Sequence, residues 1–451
     1  MKKQQRLVLL LGVLVLVSAL TFAVMRREER KEKISSTPAT VLEMKDIDSV
    51  GWAYNGSSYA FRKENGAWVY DADAAFPVDP EKMDSLLAQF APLGAAFTIE
   101  QVEDYGQYGL DTPLCTIALT QGEQTVELKL GDYSRMDSQR YASLGDGNVY
   151  LLSHDPLEEF DTDLSGLILQ DAVPELTDVS AIAVAGGDSY SKSDSGSSLD
   201  DDDVYFRDSD GAALDTDLVE AYIRKLQILE LTDYVTYSAT EQDLRDCYLA
   251  EPAKTVTLTY TPEDEEQPQT FTLHLGKAPD ESEEQPGQAY ARVGDSPILY
   301  RIGSDTYEKL IACDYNDLRH QRLFYADFDQ ADALTVTLDG ATAEFTYGVP
   351  EDSEDDTPVW MLQGREVDLS EVQVALESMT ADEFTSAAPT GRQELSLTVH
   401  LNREGADTVT LSLYRLDGTR CLAQVDGKSL CCFPRSQAMA LVEALNAILL
   451  G

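Results

Sequence analysis

The sequence predicts an α+β fold: an N-terminal transmembrane helix followed by three related modules, each an antiparallel sheet plus helix. Three observations predict it. Leu7 to Met25 are nineteen consecutive residues without a charge. An order of motifs first met between Tyr108 and Leu152 returns between Tyr248 and Ile302, and again, worn, between Leu411 and Phe433. Within each copy the apolar residues alternate at the period of a one-sided strand, and after an apolar-Asp pair they switch to helical spacing.

The uncharged stretch spans roughly 28 Å at about 1.5 Å per residue, close to a ~30 Å hydrocarbon core. Lys2, Lys3 and Arg6 precede it, as in a signal segment. Its apolar core exceeds the ~7–15 residues of a cleaved signal. The nearest small-x-small site, Thr21-Phe-Ala23, is poor, and no cysteine follows for a lipid anchor. Residues 1–33 are therefore expected to be a basic N-terminus and an uncleaved signal anchor. Orientation by charge is contested. Arg26, Arg27, Arg30, Lys31 and Lys33 follow the span, diluted by Glu28, Glu29 and Glu32, and that count alone puts the body in the cytoplasm. No other reason for a lone N-terminal anchor is visible. The expectation is thus a single-pass protein of the cell membrane with its bulk outside. Residues 34–40 (Ile-Ser-Ser-Thr-Pro-Ala-Thr) read as a linker.

Module 1 is expected over residues 41–173. Strands Val50–Tyr54, Ser58–Arg62 and Trp68–Tyr70 are separated by Asn55-Gly56 and Asn65-Gly66, the strongest short hairpin signal. Val78-Asp79-Pro80 then supplies a staple residue, an N-cap and a first-turn proline, and Met83, Leu86, Leu87, Phe90 and Leu93 share one helical face. Tyr-Gly-Leu-Asp-Thr-Pro (108–113) follows, then a strand ending Leu128-Lys-Leu-Gly131, a strand through Tyr141-Ala142, a turn at 145–148, the strand Val149–Leu152 and a short helix near Pro156 to Phe160. Module 2, residues 174–325, repeats the order with Leu214-Asp215 before its helix. That helix buries Leu218, Val219, Tyr222, Ile223, Leu226 and Leu229. Module 3, residues 326–451, places Val367-Asp368 before a helix burying Leu369, Val372, Leu376 and Met379, and a last helix runs from Gln437 to Leu450.

Composition excludes some functions. The chain carries 81 acidic against 34 basic residues, net −47. Beyond residue 33 the balance is 78 acidic against 26 basic, so the body is repelled by phosphate backbones and no nucleic-acid partner is expected. The acidic runs Asp200–Asp203, Glu263–Glu266, Glu281–Glu284 and Glu351–Asp356 read as solvated loops. Asp208-Ser-Asp-Gly211 hints at calcium, but the glycine is misplaced and no glutamate closes a twelve-residue loop. Six cysteines show no CxxC spacing and no histidine at zinc-ligand spacing, so they read as buried free thiols. None of His154, His274, His320 and His400 belongs to an HExxH motif, no serine sits in a nucleophile elbow, and no phosphate-cradling glycine loop follows a strand. The reading is not an enzyme, with no catalytic, cofactor-binding or metal residue and no cofactor named.

Asn65-Gly-Ala-Trp68, Tyr-Gly-Leu-Asp-x-Pro (108–113), Leu-x-Leu-Gly (128–131) and Val-Tyr-Leu-Leu (149–152), behind a single span, resemble the bacterial domain of unknown function 4340 family. The second copy departs at Ala250, where the motif has Asp, and the third lacks the motif. The family's pattern carries no catalytic residue, so none is transferred. Its members are often encoded beside gliding-motility-type ABC transporters. The resemblance therefore implies a non-catalytic, membrane-anchored envelope protein, an accessory or binding subunit with ABC-type transporter subunits as partners. The alternative is a free-standing envelope scaffold or adhesin-like binding protein, with an enzyme acting on envelope polymers as a distant third.

Overall fold

The computed structural model describes residues 38–450 apart from 194–198, 201, 208–211, 281, 283–284, 351–356 and 403–407, with 17–19, 21 and 33–35 ahead of them. No helix among the described residues is long and apolar enough to cross a membrane. The expected anchor, Leu7–Met25, lies outside the described residues except for 17–19 and 21, and the calcium-like 208–211 lies outside them entirely.

Alternating patterns make antiparallel sheets. The first sheet holds β1 (Lys33–Ser35), β2 (Ala39–Leu42), β3 (Ser49–Tyr54), β4 (Ser57–Glu64), β5 (Ala67–Tyr70), β6 (Leu93–Glu100), β7 (Cys115–Gln121), β8 (Gln124–Ser134), β9 (Gln139–Ser143) and β10 (Val149–Leu152). Their order is β1-β6-β10-β9-β8-β7-β3-β4-β5, with β2 also on β6. Module 2 has β11 (Val179–Val184), β12 (Ser189–Lys192), β13 (Tyr205–Arg207), β14 (Tyr234–Thr236), β15 (Lys254–Tyr260), β16 (Gln269–Lys277), β17 (Ala289–Val293) and β18 (Leu299–Ile302). Seen from β13 the order is β13-β12-β11-β15-β16-β17-β18, the path of β5 to β10. Module 3 has β19 (Ala331–Leu338), β20 (Ala341–Gly348), β21 (Val359–Leu362), β22 (Arg365–Glu366), β23 (Glu383–Phe384), β24 (Gln393–Leu401), β25 (Thr408–Arg415), β26 (Arg420–Val425) and β27 (Lys428–Pro434). Its order, β22-β21-β20-β19-β24-β25-β26-β27-β23, follows the same path. In modules 1 and 3 the strand after the helix, β6 or β23, lies against the last strand.

One pair of residues marks the register in all three copies. Leu130 faces Ala142, Leu275 faces Ala291 and Leu413 faces Ala423, and all six are fully buried. The helices also start where the apolar-Asp pairs place them. Asp79 caps Pro80–Ala88, which buries Met83, Leu86 and Leu87. Asp215 caps Thr216–Gln227, which buries Val219, Tyr222 and Leu226. Ser370–Glu377 buries Val372 and Leu376, and Arg435–Leu449 buries Leu441 and Leu445, both against the core of the third sheet.

Three expectations are corrected. Residues 34–40 are not a linker throughout: Ile34 pairs with Ile99 and Ala39 with Ala95, because β6 offers main-chain groups that β1 and β2 satisfy. Leu93 is not helical; the first helix ends at Ala88, one turn before Pro92, and Leu93 opens β6. Gly131 does not end its strand, since β8 continues to Ser134.

By its internal contacts the chain forms two compact units. One is Met1–Gln170 with Thr232–Ser238; the other is Asp171–Leu231 with Ala239–Gly451. The second unit thus holds nearly all of modules 2 and 3.

Candidate functional site

Of the four histidines, three are surface or strand residues. His154 is exposed, while His274 and His400 lie half-buried on β16 and β24. His274 Nδ1 pairs with the Thr255 hydroxyl at 2.9 Å, and His400 Nε2 meets the Thr335 hydroxyl at 3.4 Å. Both are cross-strand pairs, which stabilise sheets.

His320 is different. It lies in the second unit at the junction of modules 2 and 3, only 7% exposed. Its Nε2 is 2.7 Å from Asp203 Oδ2 and its Nδ1 3.4 Å from Asp215 Oδ2. The Tyr325 ring stacks on the imidazole at 3.9 Å and 3°. Burial pushes the Tyr325 phenol up to about 12, so it stays protonated.

Local chemistry fixes each carboxylate. Asp215 is the N-cap of Thr216–Gln227, and its Oδ1 accepts from Leu218 N at 3.2 Å, which leaves Oδ2 for His320. Asp203 Oδ1 accepts from Thr216 N at 3.3 Å, and the Thr216 hydroxyl accepts from Val204 N at 2.9 Å. Both carboxylates therefore sit at the positive end of that helix. Asp200 folds beneath them: its carbonyl accepts from Asp203 N at 3.2 Å and its Oδ1 from Asp202 N at 3.0 Å. The backbone at the end of module 2 closes the site, with Asp215 N donating to Leu318 O at 3.0 Å. Beside it, Arg207 and Arg319 lie over Tyr315 at 4.9 and 4.8 Å, and Arg319 also covers Phe384 at 4.4 Å.

The Asp200–Asp203 run is therefore not a wholly solvated loop. Asp203 is buried because His320, 117 residues later, meets it. Among the described residues, Asp200, Asp203 and His320 are the group of three metal-capable side chains whose donor atoms all lie within 4.8 Å of one another.

The thiols stand apart from this cluster. All six cysteines are buried and free. Burial pushes Cys115 and Cys313 up to about 11 and Cys421 and Cys431 up to about 12, which keeps them unreactive thiols. In the first unit a cleft of about 500 Å³ is lined by Trp52, Tyr54, Tyr59 and Asp163 among others. Trp52 is committed to the core there, stacked on Phe61 at 5.6 Å and edge-on to Phe160 at 5.2 Å.

No curated protein and no solved structure matches the chain. A family described as Domain of unknown function (DUF4340) matches twice, over residues 68–252 and 208–396. The second match begins 140 residues after the first (68 to 208) and ends 144 after it (252 to 396), which is the spacing of the modules. With its two matches together spanning residues 68–396, the chain belongs to the DUF4340 family.

Proposed function

We propose that the protein is a non-catalytic envelope protein, anchored by its N-terminal apolar stretch, whose sheet modules bind partner proteins as an accessory subunit of an ABC-type transport system. One observation carries the non-catalytic part of this reading: three sheets of the same strand order, with a Leu–Ala core pair repeated in each, are elaborated for packing and display. Repeated modules give repeated faces and edges, which suit protein contacts. The transporter rests on the family resemblance.

The test is recovery of partners from detergent-solubilised membranes with the tagged full-length chain, beside a chain lacking residues 1–33. Co-purification of an ATPase and a permease with the full-length chain is the expected result. Binding of the soluble body to peptidoglycan or polysaccharide, with no transporter subunit recovered by either chain, would establish the scaffold reading instead. Full-length protein in the membrane fraction with its N-terminus intact is expected; a mature N-terminus near Val24 would remove the anchor.

A further inference from the structure

We infer that Asp200, Asp203 and His320 bind a divalent transition ion of the zinc class, with Asp215 as the group that orients the imidazole. This goes beyond the proposed function and does not depend on it.

The donor set is one imidazole nitrogen and two carboxylates, with their ligand atoms within 4.8 Å of one another. Imidazole selects zinc-class ions over magnesium and calcium, which prefer oxygen alone. Metal-bound histidines nearly always give their second nitrogen to a carboxylate or carbonyl, which sets the tautomer and the ring angle. Asp215 Oδ2 occupies that position, 3.4 Å from Nδ1, on the side of the ring away from Asp203. With Nδ1 turned to Asp215, Nε2 faces the carboxylate of Asp203.

The frame is built before any ion arrives. Asp203 is tied through its other oxygen to Thr216 N, Asp215 through its other oxygen to Leu218 N, and Tyr325 fixes the plane of the ring. Asp200 is held by the turn that joins it to Asp202 and Asp203. The Nε2 to Asp203 Oδ2 separation of 2.7 Å is a hydrogen bond. Two tetrahedral ligands at about 2.0–2.1 Å from zinc stand roughly 3.3 Å apart, so the pair opens by about half an ångström when the ion enters. The proton shared by Nε2 and Asp203 leaves to solvent, and both atoms turn to the ion. Asp203 and His320 are buried, whereas Asp200 is only half-buried and gives the ion a route in. Three protein ligands leave the fourth position to water. The consequence is structural: the ion would join the loop and helix start early in module 2 to the segment that ends it, just ahead of module 3.

The experiment uses the full-length chain in detergent, stripped with a chelator and titrated with Zn²⁺ by calorimetry in about 0.15 M salt, which screens the acidic surface. Excess Mg²⁺ occupies the remaining carboxylates. The expected result is one tight equivalent of Zn²⁺, a rise in unfolding temperature on binding, and a four-coordinate visible spectrum with Co²⁺ in its place. His320→Gln and Asp200→Asn each weaken binding at least about tenfold. Asp200→Asn is decisive if His320→Gln fails to fold, because Asp200 is half-buried and its variant keeps the turn. No stoichiometric equivalent above the Mg²⁺ background, or equal affinity in Asp200→Asn and the parent chain, would overturn the site and leave a His–Asp hydrogen bond.

Discussion

Gly131 and Gly276 are where a motif loop touches its sheet. A Cβ on Gly131 would collide with the carbonyl oxygen of Tyr108, and one on Gly276 with that of Tyr248. These are matched positions of the first two copies: Gly109 and Tyr248 both take positive φ, 70° and 56°, just before β7 and β15. In the third copy the loop motif is missing, and Tyr414 stands where the glycine would be, one residue after Leu413. The sequence shows a glycine after Leu-x-Leu; only the fold shows that a backbone some twenty residues away needs the space. Gly131→Ala is expected to destabilise the first unit by about 1–3 kcal/mol, because the obstacle is main chain and cannot rotate away. Gly348→Ala, with open space around it, is expected to stay within about 0.5 kcal/mol in the same urea titration. Arg140 holds the same corner, donating to Gly131 O at 2.8 Å and to Asp155 at 2.7 Å, with the arginine buried and the carboxylate half-buried. Arg140→Ala removes the cation beside Asp155, which keeps its bond from Leu157 N, and is expected to cost about 2–3 kcal/mol. His274 adds a pH dependence. Burial, then the Arg292 charge, lowers its pKa below the usual 6.5. As pH falls through 6.5 the unfolded chain takes up a proton that the folded chain still refuses. Stability present above 6.5 is therefore lost as pH falls toward the folded value, and His274→Gln should flatten that slope in denaturation curves taken on either side of 6.5.

Cap chemistry made the helices legible and main-chain pairing hid two strands. Asp79 Oδ1 accepts from Glu81 N at 2.9 Å and Lys82 N at 3.3 Å, and Asp368 Oδ1 accepts from Ser370 N at 2.9 Å. Such bonds are local, so an apolar-Asp pair ahead of helical spacing announces them. Asp79→Ala is expected to cost about 1 kcal/mol and to speed amide exchange over Pro80–Ala88 with little change elsewhere in the first unit. By contrast, β1 and β2 add to β6 through backbone bonds that need no side-chain pattern, so the residues there read as linker. The candidate site was hidden for a related reason. Asp215 was legible as a cap, but an acidic run and a lone histidine 117 residues apart carry no spacing that reveals their contact.

At the scale of the whole chain, sequence repeats and compact units do not share boundaries. The repeat places residues 232–238 in module 2, yet they belong to the unit built on module 1. Within that unit the Tyr237 hydroxyl donates to Asp73 Oδ2 at 2.7 Å, and its ring meets Phe76 edge-on at 5.1 Å. The hydrogen bond to Tyr237, with that from Ala75 N, holds the Asp73 carboxyl below its usual range; the same bond pushes the Tyr237 phenol up to about 12. Gln170 Nε2 donates to Thr232 O at 3.1 Å nearby. A fragment holding only the first segment of that unit, residues 38–170, therefore leaves Phe76, otherwise 3% exposed, without one of its ring partners. Loss of buried aromatic area lowers stability and exposes an apolar patch. Such a fragment is expected to unfold at lower urea than the same unit in the full chain. A peptide of residues 230–240 added in trans should raise its midpoint in a concentration-dependent way, as any ligand of the folded state does. The peptide carrying Tyr237→Ala should not. Equal midpoints for the fragment with and without the parent peptide would mean that the unit stands complete at Gln170 and that residues 232–238 add nothing to its folding.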